Sequence, residues 1–179
     1  ALVDPAQDAV GSAKLDVLVE HLHELAAEGH RALVFSQFTG YLGRVRDRLA
    51  REGIGAAYLD GSTRDRGAVI EDFRRGDAPV FLISLKAGGV GLTLTEADYV
   101  FVLDPWWNPA VEAQAVDRAH RIGQQKPVMV YRLVATDTIE EKVMELKARK
   151  AELFSQVVDG DGALSGAVTA EDVKALFEA

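Results

Sequence analysis

Within WNPAVEAQAVDRAHRIGQ, residues 107–124, Gln114, Arg118 and Arg121 stand at i, i+4 and i+7. At about 3.6 residues per turn, the three side chains share one face of a helix. Arginine forks match phosphate oxygens. A guanidinium held at a fixed point can neutralise charge that develops on a phosphoryl group in flight. The stretch also reads as a helix from its own residues. Asn108 is a good N-cap and Pro109 suits the first helical position. Ala110, Ala113, Ala115 and Ala119 are strong helix formers, and Gly123 closes the run. The bland alternative is an exposed helix with solvated arginines, the commoner meaning of an isolated i, i+3 arginine pair.

Two further stretches define what the chain lacks. KAGGVGLT (86–93) is glycine-rich, which lets a backbone approach phosphate closely. No Lys-Ser/Thr follows its last glycine, so it is not a Walker A loop. Leu94 occupies the place of a third glycine, so it is not a dinucleotide fingerprint either. In DRAH (117–120), Arg118 stands where a magnesium-holding acid would be needed. The chain therefore has neither an ATP cradle nor water-activating acids, but it does have the arginines that such a site receives from outside. That combination describes half of an ATPase. Ser36, Gln37, Ser62, Thr63, Ser84 and Lys86 add short donors and a cation. Singly these are turn and cap residues; as a set they suit phosphate contacts, which position a protein without reading sequence.

Periodicity supplies the elements that hold these residues. From Ser12 to Gly29, the apolar positions Leu15, Leu18, Val19, Leu22, Leu25 and Ala26 follow a helical period, leaving His21 and His23 toward solvent. RALVFSQF (31–38), GAAYLD (55–60), VFLIS (80–84), YVFVLD (99–104) and PVMVYRLVA (127–135) read as five strands. Tyr41, Leu42, Val45 and Leu49 mark a helix between the first two. Ser62 with Asp65 predicts a capping box for a helix carrying Val69, Ile70 and Phe73. Near-continuous apolar strands separated by helices argue for a parallel sheet covered on both faces. Ligands then gather at the carboxyl ends of the strands, where Ser36 and Gln37, Gly61 to Thr63, Ser84 to Gly91 and Asp104 to Asn108 all fall.

DRAHRIGQ, preceded by DPWWNP and SLKAGGVGLTLTEAD, resembles the C-terminal RecA-like lobe of SWI/SNF-type ATPases, the double-stranded-DNA translocases of helicase superfamily two. FSQF and LDGST resemble two earlier motifs of the same lobe, and the likeness covers about residues 14–157 in the family's order. The resemblance implies a RecA-like three-layer αβα domain with a mostly parallel sheet and a C-terminal brace helix. The expected division is a lead-in (1–12), the RecA-like lobe (13–136), the brace helix (137–158), and a linker with a short C-terminal helix (159–179). It implies that Arg118, Arg121 and Gln114 serve catalysis, and that Gly89, Gly91 and Asp117 meet ATP. It also implies DNA-backbone contacts at Ser36, Gln37, Gly61, Ser62, Thr63 and Ser84, and at Lys86, Trp107 and Asn108. ATP and Mg2+ would belong to a site shared with an N-terminal RecA-like lobe. No metal-ligand set is assigned to this chain, and none of these groups is expected to bind the fragment tightly. The segment from LDGST to Phe73 is slightly shorter than the family's usual, which leaves the role of Arg66 open. Thr138 starts the brace helix, which either reaches back to the partner lobe or packs on its own sheet. The final helix, TAEDVKALFEA, reads equally as ordinary packing or as a tag for a partner.

Composition narrows the rest. A chain of 179 residues, 48% hydrophobic, fits one domain with a real core. There is no cysteine, so disulfide frameworks and zinc ribbons are excluded. No apolar run approaches a membrane span and no signal peptide is visible, so a cytoplasmic, nucleoid-associated location without a membrane partner is expected. The abrupt start suggests a fragment of a longer, bacterial chain. The net charge of −8 is concentrated at the ends. Six acids against Lys14 leave residues 1–30 at −5, five acids against Lys174 leave residues 159–179 at −4, and the middle carries +1. DNA binding needs a local basic patch rather than a basic pI, and this domain alone should hold DNA weakly. The alternative function is a non-catalytic module that binds DNA or RNA polymerase and keeps the fold. Intact Gln114, Arg118 and Arg121 argue against it, since a retired ATPase does not need them.

Overall fold

The computed structural model describes residues 13–87, 94–104 and 126–135, with further helical positions at 141, 142, 144, 145 and 148. The chain separates into two compact units, Ala1–Leu133 and Val134–Ala179. In the first, the order is α1 (Ala13–Ala27), β1 (Ala32–Ser36), α2 (Thr39–Arg51), β2 (Ala56–Leu59), α3 (Arg66–Arg75), β3 (Val80–Ser84), β4 (Tyr99–Val102) and β5 (Met129–Arg132). The five strands form one sheet in the order β2-β3-β1-β4-β5, and every pairing is parallel.

Alternation along the strands divides the core into two layers. Ala32 and Val34 of β1, Val80 and Leu82 of β3, and Phe101 of β4 face α1 and α2, where Leu18, Leu22, Leu42, Val45 and Leu49 are buried. Leu33, Phe35, Phe81, Ile83, Val100 and Val102 face the other way, toward Phe73 of α3 and the connection carrying Leu85, Leu94 and Ala97. β1 and β3 are buried along their whole length, as expected of central strands covered on both faces. The expectation of full cover fails at β5. It is an edge strand, and Met129 and Tyr131 are 46% and 38% exposed.

The helices end where the chemistry requires. Gly29 after α1 and Gly53 after α2 adopt φ of 77° and 75°, a conformation that costs other L-residues about 1–2 kcal/mol. α3 ends at Gly76, where a Cβ would stand 2.5 Å from the Asp72 carbonyl oxygen. The last carbonyls of α3 are collected by Arg31, at the start of β1. Its guanidinium donates to the carbonyls of Phe73 and, at 3.1 Å, Ala78, and it lies 4.0 Å above the Phe73 ring. Burial lowers the pKa of this guanidinium, and the charges of Glu96 and Asp77 partly oppose that shift.

Two local expectations are corrected. The cap of α3 is Asp65, whose carboxylate accepts from the Ala68 N–H at 2.9 Å; Ser62 lies outside the cap and bonds to Asp60 instead. The Asp65 carboxylate is the stronger acceptor and sits three residues closer to the helix. His21 is half-buried, with its ring stacked on Tyr131 at 5.9 Å, because the neighbouring edge strand offers it an aromatic surface.

Candidate functional site

The carboxyl ends of the strands form one edge. From β1 the chain runs toward β2 on one side of the sheet, and from β4 it runs toward β5 on the other. In open α/β sheets ligands settle where the winding reverses, here between β1 and β4. A hydrogen-bonded cluster occupies that position. Asp104, 5% exposed just beyond β4, accepts the Ser36 hydroxyl and, at 3.0 Å, the Gln37 N–H. Ser36 Oγ accepts the Phe38 N–H at 3.0 Å. Further bonds bind the strand ends: Leu85 N–H to the Ser36 carbonyl at 3.0 Å, and Leu103 N–H to the Phe35 carbonyl at 2.9 Å. Lys14 of α1 donates to the Leu103 carbonyl at 2.9 Å.

The expected DNA contacts divide by exposure. Ser36 and Ser84 are level with each other across β1 and β3 and are buried, at 0% and 2% exposed. The Ser36 hydroxyl donates to Asp104 and helps hold the turn. Gln37 and Thr63 are half-buried, and Gly61, Ser62 and Lys86 are exposed. The turn after β2 is closed by Asp60, whose Oδ1 accepts the Ser62 N–H at 2.8 Å and the Ser62 hydroxyl at 2.6 Å. Thr63 Oγ1 accepts the Asp60 N–H at 3.0 Å. The Ser62 hydroxyl bond holds the Asp60 carboxyl below its ordinary range; burial opposes this, and the Ser62 and Thr63 N–H groups and the Tyr58 hydroxyl add to the lowering. A phosphate reaching this turn would compete with an ionised carboxylate for the Ser62 hydroxyl. Gly89, Gly91, Trp107, Asn108, Gln114, Asp117, Arg118 and Arg121 lie outside the described residues, as do the brace helix as a whole and the final helix.

Sequence reasoning gave no site role to Phe38 or Asp98, and placed Asp104 at the ligand edge without assigning it a contact. Phe38 is 44% exposed at the ligand edge, immediately after Gln37. At the opposite edge, Asp98 is buried: it accepts from the Arg31 N–H at 3.2 Å and lies 2.6 Å from His30 Nδ1 and 3.4 Å from Lys126 Nζ. Burial pushes its carboxyl up, but the His30 and Arg31 bonds, with the charges of His30 and Lys126, outweigh burial and hold it below the ordinary range. Among the described residues, no group of three His, Cys, Asp or Glu side chains could hold a metal, and no helix is long and apolar enough to cross a membrane.

A parallel sheet with α1 and α2 on one face, α3 on the other and polar turns at a winding reversal defines a RecA-like α/β lobe. The sequence matches the helicase conserved C-terminal domain over residues 13–123, and the chain belongs to that family. It is 43% identical over 171 residues to the ATP-dependent helicase rhp16 of Schizosaccharomyces pombe, covering 93% of this chain and 20% of that protein. It is 44% identical over 176 residues to the DNA repair protein RAD5 of Cryptococcus neoformans, covering 95% of this chain and 15% of the relative. The crystal structure of the C-terminal part of the Fun30 ATPase domain superposes with a TM-score of 0.72 at 38% identity, covering 75% of this chain and 45% of that one. The chain thus spans a fifth or less of the two curated relatives.

Proposed function

We propose that this chain is the second motor lobe of an ATP-dependent double-stranded-DNA translocase, working with an N-terminal RecA-like lobe. The observation that carries the reading is the edge itself. Gln37, Ser62, Thr63 and Lys86 gather at the carboxyl ends of a parallel sheet, and β4 leads directly into the segment bearing Trp107, Gln114, Arg118 and Arg121. The names of its relatives, an ATP-dependent helicase and a DNA repair protein, agree with that reading.

In this mechanism ATP binds between the lobes, against Gly89, Gly91 and Asp117 of this chain. Closure brings Arg118 and Arg121 to the phosphates, with Gln114 on the same helix face. Their guanidinium groups stabilise negative charge as the terminal phosphoryl transfers to water. The exposed donors at the sheet edge hold the DNA backbone, with Trp107 and Asn108 beside them, so that closing and opening the lobes advances the protein along the duplex. Such contacts are indifferent to base sequence.

The test is Arg118→Ala and Arg121→Ala in the two-lobed protein. Each should lower ATP turnover by about a hundredfold or more while thermal stability and nucleotide-free DNA affinity stay near wild type. Lysine should rescue poorly, because a point charge cannot replace the planar fork. Near wild-type turnover by both folded alanine variants would return the helix to its bland reading.

A further inference from the structure

We propose that Phe38 is a DNA-contacting residue whose ring lies against the apolar face of a deoxyribose, an inference that rests on the function proposed above. Three observations meet at this side chain. Phe38 is 44% exposed at the carboxyl end of β1, where an open α/β sheet receives its ligand. Its backbone, at φ −98° and ψ 103°, occupies the N-cap of α2, yet its side chain makes no capping hydrogen bond. Polar groups flank it: Gln37 is half-buried, Thr39 is exposed, and the turn after β2 presents Gly61 and Ser62 to solvent. That turn is close, because Tyr58 of β2 places its hydroxyl 3.4 Å from the Thr39 carbonyl.

An N-cap favours Asn, Asp, Ser or Thr, because a side-chain acceptor satisfies one of the first orphan N–H groups of the helix. Phenylalanine offers none, so α2 forgoes that stabilisation and an apolar ring is left in water. The turn itself is firmly held. Ser36 Oγ accepts the Phe38 N–H at 3.0 Å and Asp104 accepts the Gln37 N–H at 3.0 Å. The Phe38 carbonyl accepts from the Tyr41 and Leu42 N–H groups, both at 3.1 Å. Two local rules are thus broken at one residue on a fixed turn, and such departures gather at functional sites. A duplex offers what the ring lacks. Its backbone alternates charged phosphates with sugars that have apolar faces, so a ring set among donors can meet a sugar while the donors meet phosphates. Contact with a sugar positions the protein without reading bases. Burying the ring adds affinity through the hydrophobic effect and releases no counterion, so its share of binding does not carry the salt dependence of a phosphate contact.

The experiment uses the two-lobed protein without nucleotide and a random-sequence duplex, with Kd read by fluorescence anisotropy across a salt series. Phe38→Ala should raise Kd by about tenfold at every salt concentration and leave the slope of log Kd against log salt at its wild-type value. Lys86→Ala, which removes an exposed cation at the same edge, should instead lower that slope by about 0.9. Phe38→Asn supplies the missing cap. It should raise the thermal midpoint while weakening DNA binding as much as alanine does, whereas a residue that merely supports the fold would give a lowered midpoint. Phe38→Leu keeps apolar bulk and should retain most of the affinity. Unchanged Kd in the folded alanine variant overturns the inference. So does a loss accompanied by a lowered salt slope, or a lowered midpoint in the asparagine variant. Unchanged Kd with slower ATP turnover would assign the ring to the N-terminal lobe, which also overturns it. The Lys86 variant separates the two levels. If Lys86→Ala weakens binding and Phe38→Ala does not, only the role of the ring falls; if neither does, the DNA-edge reading falls as well.

Discussion

Asp98 shows how one side chain ties together three stretches of chain. It meets the loop after α1 through His30, the start of β1 through the Arg31 N–H, and the approach to β5 through Lys126. Hydrogen bonds to a buried charged group contribute about 1.5–3 kcal/mol each, so Asp98→Asn should lower the unfolding free energy by about 2 kcal/mol at neutral pH. The sign with pH follows from its depressed folded pKa. The contribution is fully present above the ordinary carboxylate value of 3.8 and is lost as pH falls through the lower, folded value. Urea unfolding of wild type and Asp98→Asn should therefore diverge at neutral pH and converge in strong acid. A gap that stays constant down to pH ~2 would show that the ionised carboxylate is not the source.

The helices illustrate the difference between a pattern and a partner. The periods of α1 and α2 identify their buried faces directly, and Leu18, Leu22, Leu42, Val45 and Leu49 are in the core as expected. The start of α3 was less legible, because Ser62 and Asp65 are both capping residues and spacing alone does not choose between them. The structure chooses Asp65. Asp65→Ala should thus cost about 1 kcal/mol, and Ser62→Ala should not disturb α3. Thermal denaturation of the two variants distinguishes them: a larger loss from Ser62→Ala would restore the capping-box reading. The far end of α3 depends on Arg31, more than forty residues upstream, which donates to the carbonyls of Phe73 and Arg74, and no local motif announces those bonds.

At the scale of the whole molecule, no Lys-Ser/Thr follows the glycine-rich loop, and the proposed function leaves the ATP cradle and the acids that activate water to the N-terminal lobe. The 179-residue chain by itself should therefore hydrolyse ATP at background rates, with or without duplex DNA. Phosphate release from the pure protein checks this, and turnover well above background would sink the half-enzyme reading. In the two-lobed protein, DNA affinity should fall steeply with salt and ignore base sequence, because phosphate contacts release counterions. Fluorescence anisotropy on unrelated duplexes across a salt series would show it.

Several features were settled by the order of residues alone. Apolar runs and helical periods predicted the five strands and the first three helices, because burial on one or two faces imposes a period on the chain itself. Motif spacing likewise placed the polar turns at one edge, since parallel strands bring their carboxyl ends together wherever they lie in the sheet. The sequence could not say that the sheet runs β2-β3-β1-β4-β5, that β5 stands exposed at its edge, or that Ser36 is buried against Asp104. These are contacts between residues far apart in the chain. Which acceptor a hydroxyl finds, and which edge a strand occupies, is decided only when the whole sheet packs.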